Sequence, residues 1–328
     1  MKFFERIFLV NKTIPIKLPT AIDYYGEIHS NQIYIKRDDL TDIAFGGNKA
    51  RKLQYFIQEA LSKNADSIVT YGAIQSNHCR ITSAVATMKG LDVYLIQPES
   101  KEHEKFNGNK LLNSFFEPKI ITAPVENIFE TIDSTLNQLK SIGKNPYFIQ
   151  GGGHGDLGTH AYKTAYDEIV QQEKELNIQF DSIFHASGTG TTQAGLIAGK
   201  VMNDKDTNIY GISVARNAQR GTEVIKASLL SYLKSYNYYE INNSPINFID
   251  DYIGKGYADV YPEIIQTIKE VVRKSSVFLD PVYTGKAFYG MKEHIKRNNI
   301  KNEDILFIHT GGTPILFNYA EEIKKELL

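Results

Sequence analysis

Two periodicities alternate along the 328-residue chain. Short β-branched or aromatic runs predict strands at 32–37 (QIYIKR), 66–72 (DSIVTYG), 92–97 (DVYLIQ) and 119–123 (KIITA). Further runs do so at 147–150 (YFIQ), 182–186 (SIFHA), 209–215 (IYGISVA) and 305–309 (ILFIH). Between them apolar residues recur every three to four positions, as on one face of a helix. Leu53, Phe56, Ile57, Ala60 and Leu61 form one such face, and Ala320, Ile323 and Leu327 mark a final helix. Strands alternating with helices predict an α/β fold of βαβ units, with parallel sheets and helices on both faces. In such folds ligands bind beyond the carboxyl ends of strands, so those ends are where chemistry is expected.

Composition narrows the classes without changing this picture. There are 37 basic and 38 acidic side chains, with no block of one sign, so no nucleic acid or membrane surface is expected as a partner. Cys79 is the single cysteine, which excludes an intramolecular disulfide and agrees with a reducing compartment. The first apolar run, IFLV at 7–10, is too short for a secretory core, and no stretch approaches membrane-spanning length. A cytoplasmic protein is expected. Its length suggests two domains.

Several predicted strands end in small-residue turns that open helices. After SIFHA comes SGTGTTQAGLIAG, in which glycines would let backbone N–H groups converge on an anion such as phosphate. A dinucleotide fingerprint is disfavoured by Gln193 in place of the third glycine and by Arg216 where an acid would follow the next strand. Ser76, Asn77 and His78 precede a helix bearing Ile81, Val85 and Met88. They can cap that helix, and the same helix start can hold a carboxylate. His78 beside Cys79 is a poor chelating pair, so no metal is expected. QGGGHGDLGTHAY (150–162) follows another strand. Its glycines suggest backbone close to a ligand or a hinge, with His154 in a loop and His160 on a helix surface. Tyr257 lies in KGYADVYPE, Tyr283 and Thr284 in DPVYTGKA, and Thr310 ends a strand before Gly311 and Gly312.

Lys49 is the anomaly. In FGGNKARKL it stands where a helix begins, although cations are disfavoured near the positive end of a helix dipole. A lysine desolvated there would hold its amine more nucleophilic than usual, as covalent attachment of a carbonyl requires. Taken alone, the stretch also fits a solvated lysine.

The ordered set KRDDL…FGGNKARKL, GAIQSNHCR, SGTGTTQAGL, DPVYTGKA and HTGG resembles the D-cysteine desulfhydrase and 1-aminocyclopropane-1-carboxylate deaminase family, over about residues 33–320. The resemblance implies a pyridoxal phosphate enzyme of the tryptophan synthase β-like fold (fold type II), with two open twisted sheets. It implies a large cofactor-binding domain of 1–50 and 156–328, a small α/β domain of 51–155, and a homodimer. By position, Lys49 is similar to the Schiff-base lysine, and Asn77 to the partner of the cofactor's phenolic oxygen. Ser76, Asn77 and His78 resemble the loop that binds the substrate carboxylate, with Ser76 also a catalytic candidate. Ser187, Gly188, Thr189, Gly190, Thr191 and Thr192 resemble the phosphate cup, and Thr310 the partner of the pyridine nitrogen. Tyr257 and Tyr283 resemble catalytic tyrosines beside the substrate.

Three positions distinguish the branches of this family. Deaminases have Glu at position 284, Leu at 310 and Gln at 78, where this chain has Thr, Thr and His. A hydroxyl rather than a carboxylate at the ring nitrogen suits elimination of a good leaving group. The expectation is therefore β-elimination on a small amino acid, first D-cysteine to pyruvate, sulfide and ammonia. The alternatives are the cyclopropane deaminase and a lyase for another β-substituted alanine. A dinucleotide oxidoreductase and a non-catalytic carrier of the cofactor remain as readings from other classes.

Overall fold

The computed structural model describes residues 14–100, 105–238 and 245–328. The IFLV run at 7–10 lies outside them. Ten strands form two sheets: β1 (Ile22–Ile28), β2 (Asn31–Lys36), β3 (Ser67–Tyr71), β4 (Asp92–Pro98), β5 (Lys119–Ala123), β6 (Pro146–Ile149), β7 (Ser182–Ser187), β8 (Asn208–Ser213), β9 (Asn247–Ile249) and β10 (Asp304–Ile308). The six-stranded sheet has the order β1-β2-β10-β7-β8-β9, and the four-stranded sheet β5-β4-β3-β6. The helices among the described residues are α1 (Asn48–Ser62), α2 (Asn77–Met88), α3 (Gly108–Ser114), α4 (Ile128–Ser141) and α5 (Asp156–Leu176), followed by α6 (Thr191–Met202), α7 (Ala218–Ser235), α8 (Pro262–Ser275), α9 (Thr284–Arg297) and α10 (Ala320–Leu327).

The predicted strands lie within a residue or so of those observed. Two were not predicted. β1 is an edge strand with a single buried residue, Tyr25, and a register break at Tyr24/Gly26, so it carries no clean alternation. β9 has only three residues. β1 pairs antiparallel with β2, which departs from the expected all-parallel arrangement; the other pairings are parallel.

Parallel strands covered on both faces are apolar throughout. Accordingly Ile305, Leu306, Phe307 and Ile308 of β10 are all fully buried. Leu53, Phe56, Ile57 and Ala60 turn the predicted face of α1 into the core that also holds Ile68, Leu95 and Ile149. Burying each such side chain is worth about 1.5–3 kcal/mol. Ile81 and Val85 of α2 are buried, but Met88 is exposed. On α10 the predicted apolar stripe packs little, for no residue of that helix is buried. No described helix is long and apolar enough to cross a membrane.

Candidate active site

Five turns supply the site, and strand order explains why they meet. β2, β10 and β7 are neighbours in the large sheet, and the segments after them carry Lys49, Thr310 and residues 188–192. β3 and β6 are neighbours in the small sheet, and after them come Ser76–His78 and Gly152. These segments enclose a cavity of about 270 Å³. It is lined by Lys49, Ser76, Asn77, His78, Gly188, Thr189, Gly190, Thr192, Tyr257, Tyr283 and Thr310, all expected from the sequence.

Lys49 is the second residue of α1, and its Nζ donates to the Gly152 carbonyl at 2.9 Å. Burial pushes its amine down to about 8. The approach of α1 to the end of β10 depends on glycine. Gly47 (φ 112°) caps α1, and a Cβ on it would lie 2.7 Å from the Thr310 carbonyl oxygen. That carbonyl instead accepts from the Asn48 N–H at 3.0 Å. Thr310 is among the residues that line the cavity.

Thr191 and Thr192 open α6, whose first N–H groups have no acceptor within the helix. Gly190, at φ 95°, makes the turn into it. The cup contains more cation than the sequence suggested. Lys52 is fully buried and donates from Nζ to the Thr191 hydroxyl at 2.7 Å. Arg216 lines the cavity and hydrogen-bonds the Gly188 carbonyl. Neither was assigned to the site from sequence. Lys52 could have been, because it follows Lys49 by three residues on the same helix face. Ser187 and Thr191 border the cup without lining the cavity, since the Ser187 hydroxyl donates to Gln193 and that of Thr191 accepts from Lys52.

Ser76 caps α2, its hydroxyl accepting from the Cys79 N–H at 3.2 Å. The Asn77 Oδ1 accepts from Arg80 at 2.7 Å and from the Asn109 Nδ2 at 2.9 Å. Both lone pairs are thereby occupied, and only the Nδ2 donor is left for the cavity. His78 Nε2 meets the Thr70 hydroxyl at 2.8 Å, while that hydroxyl donates to the Ile149 carbonyl at 2.7 Å. His78 must therefore donate from Nε2, and burial beside Lys49 and Lys52 keeps it neutral. The Tyr257 and Tyr283 hydroxyls are 2.5 Å apart, and burial together with Tyr257 pushes Tyr283 far above the ordinary phenol range.

One expectation needs correction. His160 is not on a helix surface; it is buried, with Nδ1 2.7 Å from the Tyr232 hydroxyl and its ring edge-on to Tyr55. Sequence spacing on α5 could not reveal that α7 packs over it. Thr284 follows Tyr283 but does not line the cavity. Its hydroxyl accepts from the Asp280 N–H at 2.9 Å and donates to the Asp280 carboxylate at 2.8 Å.

These residues fit pyridoxal phosphate: an amine of lowered basicity, a helix-start cup with cations beside it, a donor at Asn77 and a hydroxyl at Thr310. No carboxylate is among the cavity's lining residues.

Comparison with known proteins agrees with this cofactor. Residues 15–311 match the family described as pyridoxal-phosphate dependent enzyme. A D-cysteine desulfhydrase of Serratia proteamaculans is 35% identical over 327 residues, covering 98% of this chain and 97% of that protein. A putative 1-aminocyclopropane-1-carboxylate deaminase of Pyrococcus abyssi is 34% identical over 329 residues, covering 99% and 97%. The crystal structure of an ACC deaminase homologue superposes with TM-score 0.89 at 33% identity, over 98% of each chain. With its Lys49 amine and helix-start cup on one cavity, the chain belongs to the pyridoxal-phosphate dependent enzymes, in the family of the D-cysteine desulfhydrases and 1-aminocyclopropane-1-carboxylate deaminases.

Proposed function

We propose that this enzyme eliminates the β-substituent of a small amino acid, with D-cysteine as substrate and pyruvate, sulfide and ammonia as products. The observation that carries this reading is the absence of any carboxylate from the described lining of the cavity, with Thr310 at the end of β10. Bound pyridoxal phosphate supplies the electron sink for negative charge at the substrate Cα. Lys49 would be its covalent anchor, and Lys52, Arg216 and the first turn of α6 would hold its phosphate. Thr310 would offer a neutral hydroxyl to the ring nitrogen, and Asn77 would donate to the phenolic oxygen.

Ser76 and Asn77 orient the substrate carboxylate at the start of α2. Neutral His78 brings no charge there, so it shapes the pocket without neutralising the carboxylate. The Lys49 amine takes the Cα proton, which its lowered basicity favours near neutral pH. Tyr283 stays protonated, so it can donate a hydrogen bond to the departing sulfur, which leaves as HS⁻ without taking that proton, with Tyr257 as the partner that orients the hydroxyl. Sulfide leaves from Cβ, and the released 2-aminoacrylate hydrolyses to pyruvate and ammonia. Residues 51–155 as a small domain, a homodimer and a cytoplasmic location belong to the same reading; light scattering tests the dimer.

The deciding experiment is a pyruvate assay over D- and L-amino acids, run beside an assay for 2-oxobutanoate from 1-aminocyclopropane-1-carboxylate. Pyruvate from D-cysteine and no measurable 2-oxobutanoate are expected. Comparable rates on both substrates would overturn the proposal, as would pyruvate only from another β-substituted amino acid.

A further inference from the structure

Arg80 is fully buried behind Asn77, and its guanidinium has no acidic partner among the described residues. Its contacts are three neutral oxygens: Asn77 Oδ1 at 2.7 Å, Asn109 Oδ1, and the Gly46 carbonyl at 3.3 Å. Its Nε has no hydrogen-bond partner among the described residues. Asp280 is the carboxylate that acts on it electrostatically, but the two form no ion pair. The Asp280 oxygens are taken up by the N–H groups of Val282, Tyr283 and Thr284 and by the Thr284 hydroxyl. The other ionisable groups around this side of the cavity are Lys49, Lys52, His78, Arg216 and the phenols Tyr257 and Tyr283, and none is a carboxylate. Burying a guanidinium with only dipoles for company is costly. The cost falls when negative charge arrives nearby.

We infer that Arg80 is a positioning residue that acts through the Asn77 amide to stabilise negative charge on the cofactor's phenolic oxygen. The charged hydrogen bond to Oδ1 polarises the amide and makes its Nδ2–H a stronger donor. With Asn109 it also fixes the orientation of the amide, since Oδ1 accepts from both residues. The Gly46 contact ties the same guanidinium to the turn that leads into Lys49. The same cation thus braces the Asn77 amide and the turn before Lys49. Positive charge behind the phenolic oxygen favours loss of the chromophore's proton, so removing the charge must raise the pH at which it is lost.

The inference rests on the reading of Asn77 given above, and the test separates the two. The holoenzyme's visible absorbance is titrated with pH for the native protein and for Arg80→Gln, Arg80→Lys, Asn77→Ala and the double variant Arg80→Gln/Asn77→Ala. Circular dichroism confirms folding, and Arg80→Met replaces Arg80→Gln if the latter does not fold. Arg80→Gln should raise the chromophore's midpoint by about half a unit or more, roughly a threefold change in the ratio of the two forms. Arg80→Lys should restore most of it. In the Asn77→Ala background the Arg80 substitution should have little further effect, as a shared pathway requires. If Asn77→Ala leaves the spectrum unchanged, the reading of Asn77 falls. If Asn77→Ala shifts it while Arg80→Gln does not, or if Arg80→Lys shifts it as far as Arg80→Gln, the role assigned to Arg80 falls.

Discussion

At the scale of the residue, Lys49 combines a lowered basicity with a fixed direction. An amine titrating at about 8 is roughly one-tenth neutral at pH 7, against about one part in 3,000 for an ordinary lysine. Capture of cofactor by protein stripped of it should therefore quicken as pH rises and level off above about 8, as read by stopped-flow absorbance. Borohydride reduction of the holoenzyme should label the peptide carrying Lys49, and a label on Lys52 would refute the anchor. Thr310→Val removes one neutral hydrogen bond, worth about 0.5–1.5 kcal/mol, so turnover should fall roughly tenfold at most. Lys49, Asn77 and Thr310 were legible in the sequence because glycine turns and helix starts mark them. Gly152 was legible too, within the glycine run expected to bring backbone close to a ligand; Arg216 and Arg80 were not assigned to the site, because they reach it through strand adjacency and folded-back side chains.

Among the elements, the turn that opens α9 shows how one substitution can mislead. Position 284 carries Glu in the deaminase pattern, yet here Thr284 is fully buried and bonded to Asp280. Thr284→Glu alone would press a second carboxylate against Asp280, whose own carboxyl burial already pushes up. Urea unfolding should show a loss of about 2–4 kcal/mol, with Tyr283 displaced as well. The junction of α1 with β10 should be equally unforgiving. Gly47→Ala sets a Cβ against the Thr310 carbonyl at a positive φ, so cofactor affinity should drop at least tenfold by fluorescence titration. The alternation of apolar runs revealed the buried parallel strands. It missed β1 and β9, since an edge strand with a register break and a three-residue strand leave no pattern to follow.

Across the whole molecule, a buried polar cluster joins the end of β2 to α1 and α5. Arg51 bonds Asp38 at 2.8 Å and Glu168 at 2.8 Å; Lys36 bonds Glu168 at 2.6 Å; the Tyr162 hydroxyl donates to Asp38 at 2.6 Å. The cations hold both carboxyls below their usual range. Their contribution is thus complete above the unfolded carboxylate value and fades as pH falls through the lower folded values. Arg51→Met should cost about 3–5 kcal/mol in urea unfolding at neutral pH by stranding two acids, and should flatten the acid dependence. Nothing in the sequence announced this cluster, because its members are far apart in the chain. The βαβ alternation did announce the sheets, though not their order, and that order has a temporal consequence. The strands of the small sheet are all complete by Ile149, whereas the large sheet places β10, its last strand in the chain, between β2 and β7. On the ribosome the small sheet can close while β2 and β7 still wait for the strand that separates them. Nascent chains arrested before residue 304 should therefore protect the 67–149 region from protease while leaving the rest open, and release of β10 should close the active site in one late step.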